Sequence, residues 1–213
     1  MKKTLLAAVL VSASFGVISA PYIGLEYGAG STSHDAQSNF KQDPLLKLEP
    51  SLEDGIFGGF VGYSLTPSWA IEVGYSQFDL EDSRSVKEPY LGDGYERETE
   101  WDSSIKAKQF VLTPVFTYEL NDKWLTKIKT GLTYTQYDIS NSKTFEKEHI
   151  VSDAETTTSL EHNSSSSNEI GGLVSVGTEY KVLPQLTVGA NVKYQFDSFA
   201  NTASFNVGST YYF

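Results

Sequence analysis

The chain has 213 residues, no cysteine and a formal net charge of −11, and these properties exclude several classes of protein. The length suits one domain or two small ones. A strongly acidic chain without a basic patch repels nucleic acid, so nucleic acid is excluded as a partner. Without disulfides, a protein outside the cytoplasm depends on a large core, a metal or a closed hydrogen-bonded barrel.

The N-terminus predicts export. Two lysines after the initiator methionine precede a short apolar stretch that ends at Ala20, which is the pattern of a secretory signal peptide. The stretch is too short for a comfortable membrane helix, although a buried N-terminal helix is an alternative. We therefore predict a signal peptide over residues 1–20, cleaved after Ser19 or Ala20, and one domain over residues 21–213.

Beyond the N-terminus, apolar and polar residues alternate with period two in eight segments of about ten residues. In each segment one face is aliphatic and aromatic, and the opposite face is polar or small. Alternation of this kind predicts strands that are apolar on one side only. In chain order, the predicted strands are residues 22–30, 55–65, 69–78, 108–120, 124–137, 170–182, 186–196 and 204–213.

The connections between these segments alternate in length. Three tight ones contain proline or Asn-Asp, which favour chain reversal, and they lie at 66–68, 121–123 and 183–184. A connection at 197–203 is also short. Three long polar stretches are predicted to be loops, at 31–54, 79–104 and 138–169, and the tract 156–168 in the last of them is predicted to be mobile.

Together these patterns predict an all-β fold, namely an eight-stranded antiparallel up-and-down transmembrane β-barrel. Aromatic residues at both ends of the segments fit girdles at the two membrane interfaces. An eight-stranded barrel is only wide enough for side chains to fill, so an open, porin-like channel is not expected.

Charged residues on the polar faces of the predicted strands require partners, because an isolated ion in a barrel interior is costly. Both signs are present, so we predict a plug of interior ion pairs. The alternative is that these charges face solvent on a soluble sheet. The six residues of the predicted plug are Glu26, Glu72, Glu179, Lys127, Lys129 and Lys193.

Pro114 lies inside the fourth predicted strand, where it removes a ladder hydrogen bond. Every strand of a closed barrel has two partners, so we expect a β-bulge to absorb the missing bond.

The last predicted strand carries Phe205, Val207, Tyr211 and Phe213 on one face, with Ser209 as the departure from the apolar pattern. This ending resembles the C-terminal assembly signal of bacterial outer-membrane barrels. The chain as a whole resembles the small-barrel superfamily of the OmpA transmembrane domain and the OmpX/Ail adhesins. The opening PYIGLEYG at residues 21–28 is similar to the first strand of the accessory colonisation factor A group.

The resemblance implies a location in the bacterial outer membrane, with membrane lipid, lipopolysaccharide and the barrel-assembly machinery as partners and no cofactor. It also implies adhesion or colonisation through the long loops, with a host surface or matrix ligand. The loop predicted at 79–104 fits a cell-surface display, since it holds nine acidic residues against three basic ones. The alternative is a structural barrel that supports envelope integrity without a dedicated ligand.

No catalytic, cofactor-binding or metal site is predicted, and an enzyme or a pore is the less favoured hypothesis. All three histidines, His34, His149 and His162, fall in predicted loops. His162 and Ser164 form an H-x-S sequence that resembles a motif of small outer-membrane lipid A deacylases. Here it lies in a serine run, and catalysis requires a base held within hydrogen-bond reach of its nucleophile.

Overall fold

The structure is a computed structural model that describes residues 20–213, so the predicted signal peptide lies, except for Ala20, outside the described residues. Within this range no helix has the length and apolarity needed to cross a membrane. The strands are β1 (Pro21–His34), β2 (Ser51–Leu52), β3 (Ile56–Ser64), β4 (Trp69–Lys87), β5 (Tyr95–Glu119), β6 (Trp124–His149), β7 (Ala154–Leu183), β8 (Leu186–Phe196) and β9 (Ala200–Tyr212).

Eight of these strands close into an antiparallel ring. From β3 to β9 each strand pairs with the next, β1 pairs with β3, and β9 pairs back onto β1. Closure gives every strand of the ring two hydrogen-bonded neighbours, as hydrocarbon surroundings require. The two-residue β2 is an additional rung within the first loop and pairs with β4. The predicted eight-stranded up-and-down barrel is therefore confirmed.

The outer surface changes from apolar to polar between two adjacent rows of cross-strand partners on β4 to β7. One row of cross-strand partners is apolar, and the next row, farther from the tight turns, is polar. This step marks the upper edge of the hydrocarbon-facing band. The last apolar row is Tyr75, Phe110, Tyr134 and Ile170, and the polar row above it is Gln77, Lys108, Gln136 and Asn168.

Above this level, β4 to β7 continue as a paired sheet, which we call the protruding sheet (residues 77–87, 95–108, 136–149 and 154–168). The loops predicted at 79–104 and 138–169 are therefore wrong for most of their length, and the tract 156–168 belongs to β7. The reason is physical: outside hydrocarbon both faces of a strand are polar, so the alternation disappears while the ladder hydrogen bonds continue. The loop predicted at 31–54, between β1 and β3, is mostly a true loop.

Pro114 is accommodated without a bulge. It lies opposite Ile71 of β4, while on its other side the β5–β6 ladder is interrupted between Leu112 and Val115 with the same register before and after. The expected bulge at Pro114 is therefore wrong. The register shifts lie elsewhere, in the β6–β7 and β7–β8 pairs.

The barrel interior has two layers. At the membrane level, charged and polar side chains lie beside a small apolar cluster of Tyr22, Ala70 and Val115, and a larger apolar cluster fills the barrel just above. The first loop closes over this cluster, because Phe40 and Leu48 from the loop are buried and Ala36 packs against the cluster. The members of the larger apolar cluster are Ile56, Phe78, Leu80, Ile105, Ala107, Tyr137 and Ala200.

Candidate functional site in the lumen and on the protruding sheet

All six charged residues predicted for the lumen lie inside the barrel, and they form three ion pairs. Lys127 Nζ lies 2.7 Å from Glu179 Oε1, and Lys129 Nζ lies 2.6 Å from Glu72 Oε2. Lys193 pairs with Glu26. Only the pair between β6 and β7 joins neighbouring strands, so the other two pairs connect walls of the barrel that are not hydrogen-bonded to each other.

Each carboxylate of this network accepts at least one further hydrogen bond. Tyr22 donates its hydroxyl to Glu72 over 3.0 Å, and Thr187 donates to Glu179 over 2.6 Å. Asn191 donates to Glu26 over 3.4 Å. Filling the remaining lone pairs in this way is what makes a buried ion pair tolerable.

Three inward-facing aromatic residues complete the network and were not predicted. Tyr22 and Tyr212 lie with ring centroids 5.1 Å apart, and Phe60 meets the edge of Tyr22. Lys129 stands 4.2 Å above the Phe60 ring, and Lys127 donates to the Tyr212 hydroxyl over 2.9 Å. The signal was present in the sequence, because all three rings fall on the polar face of their strands by parity.

Little empty space remains around Glu26 and Lys129, whereas a pocket of about 270 Å³ touches Lys127 on the side of the tight turns. Two cavities that touch Glu26 and Lys129 measure about 30 and 40 Å³, roughly the volume that one water molecule occupies. At this level the lumen is therefore filled by side chains in the way expected for eight strands.

The first loop is fastened to the protruding sheet by Asp43. Its carboxylate accepts a hydrogen bond from Lys143 Nζ at 2.7 Å and one from Trp101 Nε1 at 2.9 Å. These two donors hold the pKa of Asp43 below its usual range. Glu161 on β7 adds a contact with the backbone N–H of Lys41.

Most charges at the upper end of the protruding sheet are sorted by face, although Lys87, Lys106 and Lys108 lie on the outer face. Trp101 and Lys143 face the first loop, and strand alternation places Arg84, Arg97 and Lys147 on that same inner face. The residues between them face outward, and most of these are acidic. The outward acids of β5 and β6 are Glu96, Glu98, Glu100, Asp102, Asp138, Glu146 and Glu148.

The outward acids repel one another. Glu98 lies directly opposite Glu146, and Glu96 lies directly opposite Glu148, an arrangement that is unfavourable for like charges on a sheet. The pKa of Glu100 is accordingly raised, mainly by the charge of Asp102. The outer face of the protruding sheet is thus strongly negative.

The three histidines lie at strand positions, so their predicted placement in loops is wrong. His34 contacts the Pro50 carbonyl. His149 Nδ1 accepts the backbone N–H groups of the turn after β6 and lies 3.1 Å from Ser152 Oγ, which makes it a turn-capping residue. His162 faces outward on β7. Among residues 20–213, no group of three His, Asp or Glu side chains is arranged to hold a metal ion.

The residues predicted for the assembly signal lie on the lipid-facing side of β9. Phe205, Val207, Tyr211 and Phe213 are all more than two-fifths exposed. The strand is hydrogen-bonded to β1 and β8 along its length, so it closes the barrel. Its role as a signal for the assembly machinery stays a prediction.

Comparison with known proteins agrees with this architecture. A family model for the outer membrane protein beta-barrel domain matches residues 4–213, and no curated protein was found to match the sequence. Ail of Yersinia pestis, solved with the heparin analogue sucrose octasulfate, is 15% identical over 92% of this chain and 97% of Ail, with a TM-score of 0.50. Neisserial surface protein A is 10% identical over 92% of this chain and 100% of its own, with a TM-score of 0.48.

Proposed function

Since the chain belongs to the outer membrane protein β-barrel family, we propose that its protruding sheet attaches the cell to a host-surface or matrix protein. The family match also confirms the predicted resemblance to small outer-membrane barrels and the location in the outer membrane. The narrower resemblance of residues 21–28 to the accessory colonisation factor A group stays a prediction. In this proposal the partner supplies an extended segment that pairs with the upper part of β7.

The open edge of β7 carries the proposal. β7 pairs with β8 only from Gly172 onward, whereas on its other side β6 accompanies it up to Ala154. Among residues 20–213, no strand covers the opposite edge of β7 between 154 and 168. Such an edge presents unpaired N–H and C=O groups and is a template for an added strand.

The side chains of this edge favour an added strand. Natural proteins block exposed edges with lysine or proline, yet neither occurs between residues 154 and 171. The tract 163–167 consists of asparagine and serine, whose small size lets a second backbone approach closely. The partner would therefore be held by main-chain hydrogen bonds more than by side-chain pockets.

A structural role is the second candidate, and the ion-paired lumen favours it. Pairs such as Lys129–Glu72 connect strands that do not share a ladder, so they brace the barrel wall. A barrel built to support envelope integrity needs that bracing and needs no free edge.

The direction of the backbone groups on β7 gives a sharp test. The N–H of Lys181 points to β6, where it meets the Lys123 carbonyl. N–H groups alternate along an antiparallel strand, and the β6–β7 register is unbroken down to Glu161. Ser164 and Ser166 therefore direct their N–H groups to the open edge.

Cells that display the Ser164→Pro/Ser166→Pro variant should lose attachment to a matrix-coated surface. The substitutions remove two N–H donors from the open edge of β7, while the hydrogen bonds between β6 and β7 stay in place. The matched Ser164→Ala/Ser166→Ala variant should attach normally, since only side chains change. Heat-modifiable gel migration verifies that both barrels are folded. Equal attachment by the proline variant and the unaltered chain would rule out strand addition, and lost envelope resistance without lost attachment would favour the structural role.

A further inference from the structure

A groove lies on the lipid-facing outside of the barrel, across β6, β7, β8, β9, β1 and β3. It has a volume of about 660 Å³ and is lined mainly by apolar groups. Small side chains form its floor, namely Thr178, Ala190 and Ser209. Large rings stand at its two ends, Trp124 and Tyr180 at one and Tyr27 and Phe57 at the other.

Cross-strand neighbours line the groove from one strand to the next. Trp124 lies beside Tyr180, which lies beside Val188, and that residue lies beside Ser209. Ser209 in turn neighbours Leu25 on β1. Six strands at a spacing of about 4.8 Å give the groove a length of roughly 24 Å.

This length fits the hydrocarbon of one membrane leaflet. Strands of such barrels tilt by about 45°, so a groove that crosses them is inclined by a similar angle. Half of a hydrocarbon core of about 30 Å, followed along that incline, is about 21 Å. A single acyl chain lying in the groove would thus cross its own leaflet without a gap.

A cation stands at the turn-side end of the groove. Lys123 lies in the tight turn before β6, and its Nζ is 5.9 Å from the centre of the Tyr180 ring. Among residues 20–213, no carboxylate oxygen lies within 4.0 Å of Lys123 Nζ, whereas nearby Lys181 is paired with Glu119. Tight turns face the periplasm in this architecture, so an unpaired positive charge meets the headgroups of the periplasmic leaflet.

We propose that this groove is a binding site for one glycerophospholipid of net negative charge, with an acyl chain along Ala190 and Ser209 and its phosphate at Lys123. The ring walls supply apolar contact at both ends of the chain, and the lysine supplies the charge that selects an anionic headgroup. The departure of Ser209 from the apolar pattern of the last strand is then explained, because a larger residue there would fill the groove.

Native mass spectrometry of the detergent-purified barrel, titrated with phosphatidylglycerol or phosphatidylcholine, tests the site. We expect one phosphatidylglycerol to be retained at activation energies that strip phosphatidylcholine. The Ala190→Leu/Ser209→Leu variant fills the groove and should weaken this retention at least tenfold. Lys123→Ala should leave the groove open but abolish the preference for the anionic lipid.

Ala29→Leu is the matched control, because Ala29 is also a small outward residue but lies beyond the groove. This variant should retain phosphatidylglycerol like the unaltered chain, and heat-modifiable migration verifies folding of every variant. Equal retention of the two lipids by the unaltered chain, or equal retention by the groove-filling variant and the Ala29 control, would overturn the proposal and indicate ordinary annular lipid.

Discussion

Replacing Lys193 by methionine tests the ion pairs of the lumen. Lys193 and Glu26 form an ion pair in which the two side chains are 10% and 12% exposed. Methionine keeps an unbranched apolar stem, one atom shorter than the lysine side chain, but removes the charge, so the Glu26 carboxylate loses its partner inside the barrel. Within residues 20–213, the one side-chain hydrogen bond that Glu26 then keeps is the long bond of 3.4 Å from Asn191.

The expected loss is large because the carboxylate stays buried. Removing one partner of a buried ion pair costs about 3–5 kcal/mol. With a urea dependence of about 2 kcal/mol per molar, the unfolding midpoint should fall by about 2 M. The exposed pair of Lys108 with Asp138 is the matched comparison, since its side chains are 50% and 40% exposed. Lys108→Met should cost about 1 kcal/mol or less.

Urea unfolding of the refolded barrel in detergent micelles, followed by tryptophan fluorescence and by gel migration without heating, measures both variants. The double variant Glu26→Gln/Lys193→Met removes both charges and should recover most of the lost stability, because no unpaired ion remains. The reasoning is refuted if Lys193→Met and Lys108→Met have the same midpoint, or if neutralising Glu26 restores nothing.

Three further changes give distinct outcomes. Tyr212→Phe removes the hydroxyl that accepts from Lys127 and should lower the unfolding free energy by about 1–2 kcal/mol, measured in the same urea titration; an unchanged midpoint contradicts this. Asp43→Asn weakens the fastening of the first loop to Lys143, so a protease should cut that loop faster at pH 7. Because the pKa of Asp43 is lowered in the fold, this fastening is present above about pH 4 and is lost as the pH falls below that value, so the difference between the two proteins should vanish in acid. Glu100→Gln relieves repulsion on the outer face and should slow hydrogen exchange of the protruding sheet at pH 7 by a factor of about two, a gain of about 0.5 kcal/mol or less, whereas faster exchange would contradict the repulsion inferred from the raised pKa.

Inside the membrane level the sequence predicted the fold closely, because hydrocarbon on one side forces strict alternation. Glu72 and Lys129 were assigned to the lumen from parity alone, and both lie there. Their pairing could not be predicted in the same way. The two residues lie on β4 and β6, which do not share a ladder, so the contact depends on barrel closure and shear, which local periodicity does not encode.

The lumen aromatics were missed for a related reason. Large rings fit inside this narrow barrel where the residue beside them on the adjacent strand has no side chain. The ideal Cβ positions of Gly24 and Gly62 fall 2.2 Å from Phe60 Cζ and 2.1 Å from Tyr22 Cζ, respectively, so each ring occupies the space above a glycine. That complementarity joins β1 with β3 and becomes visible only when their register is known.

The protruding sheet shows how a negatively charged first loop can pack against the strands of an acidic chain. The first loop brings Asp43 against β5 and β6, whose outward charged residues are mostly acidic. Attraction is possible because alternation places Lys143 of β6 and Arg84 of the neighbouring β4 on the opposite, inward face. The negative charge of the sheet is thus concentrated on the outer face, while the inner face provides the positive charges that attract the loop. If one strand slipped by one residue, its cations would move to the outer face and its acids to the inner face. The charge pattern therefore helps to fix the strand register above the membrane, where no hydrocarbon selects one face.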